Sequence, residues 1–179
     1  SVKILIDGDI AMDTIDTSHA YIPLNTISVN DVERVEIING GGTVLYGSGT
    51  RGGVVNIITK DRTKEGASGK VYYQNSSYGT NKLGFDAGIN YGNKFIIDLG
   101  YENVNGKGYR RGSKEAYEYL NGSLKYNITD NHSLKFKAAR YNSEETLASD
   151  LTKSQLLSDR RQSGTLSDLD VDRKEYSLG

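Results

Sequence analysis

Apolar residues recur along this chain with a period of two, so strands are the expected elements. Val2, Ile4 and Ile6 alternate with Lys3, Leu5 and Asp7, and Gly8 closes that run as a tight exit. Ser28 and Asp31 stand in capping-box spacing, which predicts a short helical turn over Val29 to Glu33. In the segment that follows, Val35 and Ile37 share one face while Arg34, Glu36 and Ile38 share the other, a strand running into Gly40. Val54 to Thr59 is apolar on both faces, as in a strand enclosed by protein. These short strands make a small sheet with little core of its own, which needs an enclosure.

Beyond Gly69 the texture changes. Leu83, Phe85, Ala87, Ile89 and Tyr91 alternate without a break with Lys82, Gly84, Asp86, Gly88 and Asn90. The same one-sided pattern runs through Phe95 to Tyr101, Leu120 to Ile128 and Leu134 to Ala138. Strands of about ten residues with one apolar face have the length needed to cross a bilayer when tilted. The turns at Gly92-Asn93 and Thr129 to Asn131 read as short, whereas Asn103 to Glu115 and Asn142 to Asp172 read as long and polar. A first strand is placed near Lys70 to Ser77, a short loop at Tyr78 to Asn81 and a last strand near Lys174 to Leu178. The long loop contains LTKSQLLSDRR, which suits an amphipathic helical turn. The charged stretch Lys60 to Gly69 marks a boundary, giving residues 1–62, a linker 63–69 and residues 70–179.

Composition narrows the classes. Gly accounts for 21 of 179 residues and Tyr for 13, with one Pro and no Cys, which favours strands and turns and excludes a disulfide scaffold or thiolate metal site. A net charge of −1 gives no basic excess for nucleic acid. No apolar run is long enough for a transmembrane helix, but a β-barrel never shows one. Of the 16 aromatic residues, 14 follow residue 68, and Tyr78, Tyr91, Tyr101, Tyr126 and Tyr141 fall at strand ends where interfacial girdles sit.

Candidate chemistry is sparse. Gly40, Gly41, Gly42, Gly47, Gly49, Gly52 and Gly53 crowd one loop, yet Gly53 runs into Val54 rather than Lys-Ser or Lys-Thr, and a strand follows where a dinucleotide motif needs a helix. His19 has no second ligand at metal spacing, and Glu33 and Glu36 are expected on opposite strand faces, so neither metal binding nor acid-pair catalysis is expected. No cofactor is implied.

The order ILIDG, DVERVEIING and VLYGSGTRGGVVNIITK, spanning Ile4 to Lys60, resembles the second half of the plug domain of TonB-dependent outer-membrane receptors. The resemblance implies a β-dominated fold: a small mixed plug sheet with a short helical turn, followed by antiparallel meander strands of a transmembrane β-barrel. Its YGS-x-x-x-GGVVNIITK ending is most similar to catecholate-siderophore and cobalamin receptors. In that family plug arginines pair with barrel glutamates; by position this assigns Arg34, beside Glu36, to pairing. The family usually writes Arg-Gly-Pro where this chain has Asn39-Gly40-Gly41, and Arg51 is the candidate substitute.

The chain opens inside one apparent strand and ends inside another, so it is expected to be a fragment: half a plug and about the first six barrel strands. The implied function is energy-coupled uptake of a scarce nutrient across a Gram-negative outer membrane, a ferric siderophore first, cobalamin second and haem third, with no catalysis. Implied partners are a TonB-type energy transducer, engaged through a segment absent here, the ligand and outer-membrane lipid. In the loop VNGKGYRRGSKE, Lys107, Tyr109, Arg110 and Arg111 are the ligand-contact candidates, by charge and stacking toward an anionic chelate. A solvated loop is the plainer reading of the same residues. A soluble or surface-displayed β-rich binding protein is the alternative from another class, separated by detergent dependence.

Overall fold

A computed structural model describes residues 2–10, 29–40 and 52–179. They fall into two compact units, Ser1–Asp61 and Arg62–Gly179.

The first unit is a four-stranded mixed sheet. Its strands β1 (Val2–Ile6), β2 (Asp9–Ile10), β3 (Val32–Ile38) and β4 (Gly53–Thr59) lie in the order β2-β1-β4-β3. β1 runs parallel to β4, and the other two pairings are antiparallel. The two-residue strand β2 follows directly on the tight exit at Gly8. Asp7 and Gly8 explain it: their φ values of 51° and 90° close a two-residue hairpin of the type that Asp-Gly favours. A single 3-10 turn, Val29–Asp31, sits where the capping-box spacing places a helical turn.

The core of this sheet lies on the central pair. Leu5 and Val54 are almost fully buried, and Ile4 lies just beneath the surface. Buried Asn56 accepts a bond from Gly8 N at 3.1 Å, so a polar side chain stitches the β1–β2 turn to β4. The Asp7 carboxylate accepts from the Thr59 backbone N at 2.8 Å and from Thr59 Oγ1 at 2.6 Å, tying the same turn to the end of β4. At the start of β4, Gly53 has φ of 124°, and a Cβ there would stand 2.7 Å from the Ile38 carbonyl oxygen. Only glycine fits where the chain enters β4 alongside β3.

The second unit is a six-stranded antiparallel meander in sequence order. It consists of β5 (Gly66–Ser76), β6 (Thr80–Tyr91), β7 (Phe95–Lys107), β8 (Lys114–Thr129), β9 (His132–Ala148) and β10 (Leu166–Leu178). A short helix α1 (Lys153–Ser158) interrupts the last connection, its N-cap Thr152 forming a capping box with Gln155. From β6 onward short connections alternate with longer ones, as expected, but the strands run further than hydropathy indicates. Asn103–Lys107 and Lys114–Glu118 belong to strands, leaving a connection of residues 108–113, and the longest connection narrows to 149–165. β5 likewise begins at Gly66, inside the stretch read as linker. Backbone ladders do not depend on side-chain polarity, so pairing continues past the point where apolar alternation stops. Cross-strand polar bonds accompany it: Thr146 Oγ1 donates to Asp168 Oδ1 at 2.8 Å, and Arg140 pairs with Asp172 at 3.3 Å.

Register sorts the side chains into two faces. Ile89, Ile97, Leu124, Phe136 and Leu178 occupy one continuous cross-strand row, and Ala87, Leu99, Gly122, Ala138 and Tyr176 form the next. Together they make an exposed apolar band. Phe95 stacks on its register partner Tyr126 at 4.8 Å between centroids, at the short-turn edge of the band. The opposite face is polar. Tyr141 belongs to that polar face, 3% exposed beside Tyr117, and not to an outward girdle, because its odd parity sets it opposite Phe136 and Ala138.

Candidate functional site

Three constellations stand out, one on the first unit and two on the second. On the first unit Gly40 is a left-handed residue with open space around it, Gly52 lies in a turn and Gly53 meets β3 as described. Gly41, Gly42, Gly47, Gly49 and Arg51 lie outside the described residues. Arg34 holds two carboxylates on its own strand, Glu36 at 2.9 Å from Nε and Glu33 at 3.1 Å from Nη1. The hydrogen bond that Arg34 donates to Glu36 raises the guanidinium above its ordinary pKa, so its charge is constant. Simple alternation sends Glu33 and Glu36 to opposite faces, but a register shift between Val32 and Arg34 brings both to one guanidinium.

At the long-loop end of the second unit, three connections converge. The Arg110 Nε donates to the Gln162 carbonyl at 2.6 Å, and its Nη2 donates to the carbonyls of Ser149 at 2.6 Å and Ser163 at 3.3 Å. Arg111 pairs with Asp159 at 2.8 Å, and its backbone N donates to the Arg161 carbonyl. Both arginines of the 108–113 connection thus hold the 149–165 connection in place. Tyr109, 46% exposed, meets Tyr78 edge-on at 5.8 Å. The Arg161 guanidinium lies 5.6 Å from the Tyr78 centroid and 5.9 Å from that of Tyr109, and its Nε donates to the Tyr109 carbonyl. Lys107 stands exposed nearby in sequence. A cation between two half-exposed rings can hold an anionic aromatic group by charge and stacking. Sequence reasoning names Tyr109 but misses Tyr78 and Arg161, which are 83 residues apart in numbering and meet only through the loops. The sole linear hint is the Arg-Arg pair closing SDRR.

The polar face carries the third constellation. Glu102 is 2% exposed and accepts from Tyr72 OH at 2.8 Å and Tyr117 OH at 3.0 Å, with Lys82 Nζ at 2.9 Å. Tyr72 reaches it by lying across Gly84, where a Cβ would stand 2.3 Å from the ring. The absent side chain of Gly84 is therefore what lets a β5 phenol reach a β7 carboxylate.

Residues 1–54 match the family described as TonB-dependent Receptor Plug Domain. Over 114 residues, 60% of this chain, the sequence is 30% identical to the vitamin B12 transporter BtuB of Vibrio cholerae. Over 51 residues, 28% of this chain, it is 43% identical to a ferric enterobactin receptor of Pseudomonas aeruginosa. The chain resembles the TonB-dependent receptors.

The matches cover 17% and 7% of those two relatives. The unliganded ferric citrate transporter FecA superposes with a TM-score of 0.72 over 90% of this chain and 25% of its own, at 23% identity, a likeness of fold. The mixed sheet of the first unit and the meander of the second agree with that receptor fold. Both matching relatives are named as a receptor or transporter.

Proposed function

We propose that this chain serves energy-coupled uptake of a scarce nutrient across a Gram-negative outer membrane, with a ferric siderophore as ligand and a TonB-type transducer as partner. The observation that carries the ligand class is the Tyr78–Arg161–Tyr109 cluster, a cation held between two rings at the long-loop end. An anionic, aromatic metal chelate satisfies all three groups at once, whereas a neutral ligand leaves the guanidinium without a charged partner. The exposed apolar band of the second unit supports the membrane assignment. Its polar face then lines a lumen and its long connections face outward.

Cobalamin is the second reading, favoured by the longer match to the vitamin B12 transporter. Growth of a receptor-deficient strain on single nutrients separates the two. Complementation with the receptor restores growth on a ferric catecholate, and Arg161→Ala with Tyr109→Ala lowers the uptake rate on that source. Rescue on cobalamin with none on any iron chelate overturns the siderophore reading.

A further inference from the structure

The charged stretch that marks the boundary in the sequence holds a largely buried guanidinium. Arg62 is the first residue of the second unit, and its side chain is 11% exposed. Its Nε lies 2.7 Å from Asp98 Oδ1 on β7, and its Nη2 lies 3.2 Å from Asp86 Oδ1 on β6. Its Nη1 donates to the Ser68 carbonyl at 3.1 Å and to the Ser68 hydroxyl. Gly88 makes room for this, since a Cβ there would stand 2.6 Å from Arg62 Nε and 2.2 Å from the Ile97 carbonyl oxygen. The backbone is gripped as well. Fully buried Asn90 donates to the carbonyls of Arg62 at 3.1 Å and Thr63 at 3.2 Å, and is itself oriented by Asn93.

A flexible linker needs none of these. A planar guanidinium shared between two carboxylates on neighbouring strands, above a glycine, fixes position and direction together, because its fork geometry leaves little rotational freedom. We propose that Arg62 is a positioning residue, an anchor that fixes the first residues of the second unit onto β6 and β7 independently of residues 1–61. Residues 62–179 then stay ordered when residues 1–61 are loosened. This rests on the outer-membrane reading above, which places the strands of the second unit in lipid.

These 179 residues contain no cysteine, so single nitroxide labels placed in them report cleanly once any cysteine elsewhere in the receptor is replaced by serine. Labels are placed in the full-length receptor in lipid vesicles at Lys64→Cys beside the anchor, Ile37→Cys on β3 and Lys174→Cys on β10. Each is followed by electron paramagnetic resonance through a urea series. In the otherwise wild-type protein the label at 37 becomes mobile at lower urea than the labels at 64 and 174. Arg62→Gln brings the midpoint at 64 down to that at 37 and leaves 174 unchanged. Arg62→Lys, which keeps charge without the fork, falls between. Should Arg62→Gln fail to assemble, Asp98→Asn removes the shorter ion pair and gives the same shift at 64. The proposal is overturned if 64 mobilises together with 37 in the wild-type background, or if the assembled variants leave 64 immobile. Nutrient rescue by the unlabelled receptor is scored separately, so a failed transport reading shows there and a failed anchor shows only in the label at 64.

Discussion

Removing Glu102 tests whether the polar face of the second unit is a supporting structure or merely a solvated surface. In Glu102→Ala, Tyr72 OH, Tyr117 OH and Lys82 Nζ all lose a charged acceptor. A hydrogen bond to a charged group contributes about 1.5–3 kcal/mol, but these contributions do not add in full. Lys82 retains 23% of its side-chain exposure and regains water, so its share falls at the bottom of that range. The two phenols are half-buried, and Tyr72 is trapped over Gly84, so their hydroxyls recover less. The expected loss is about 3–5 kcal/mol, the range for breaking a buried, hydrogen-bonded charge site. Urea unfolding of the receptor in lipid vesicles, followed by circular dichroism of its strands, measures it. A double-mutant cycle with Lys82→Met apportions it, with a coupling of at least about 1 kcal/mol expected for residues in direct contact. A loss below about 1 kcal/mol for Glu102→Ala, or strict additivity with Lys82→Met, refutes the reasoning.

Gly53→Ala places a Cβ against the Ile38 carbonyl at a positive φ and is expected to destabilise the first unit by about 1–3 kcal/mol, read from the urea midpoint of a label on β3. Asn56→Leu strands the Gly8 backbone N and costs about 1–3 kcal/mol by the same readout. Leu124→Arg, in the middle of the apolar band, is expected to cost about 2–4 kcal/mol in vesicles, while Ser123→Arg on the opposite face is tolerated; equal effects would refute the assignment of faces. Arg110→Ala releases three carbonyls of the 149–165 connection, so trypsin cuts after Lys153 or Arg160 several-fold faster while strand content is unchanged.

The alternation of Leu83 to Tyr91 and its successors determined the strands, their two faces and the order of short and long connections, because a period of two needs no partner to be read. The ILIDG, VERVEIING and GGVVNIITK stretches likewise carried the family resemblance in linear order. Strand ends were not legible, since Asn103–Lys107 and Asn142–Ala148 lengthen the ladder by backbone bonds that hydropathy cannot register. The candidate site was half legible. Tyr109 and the two arginines after it stood out as a basic aromatic loop, yet Arg110 and Arg111 are engaged in holding the 149–165 connection. Their partners, and the pairing of Tyr78 with Arg161, exist only once the meander brings three loops to one end. Arg62 shows the same division most plainly: in the sequence it is one charge in KDRTKEG, and only register places Asp86, Gly88 and Asp98 around it. Local periodicity is a property of neighbouring residues and survives in the string, whereas a buried charge is explained by groups that folding alone brings within reach.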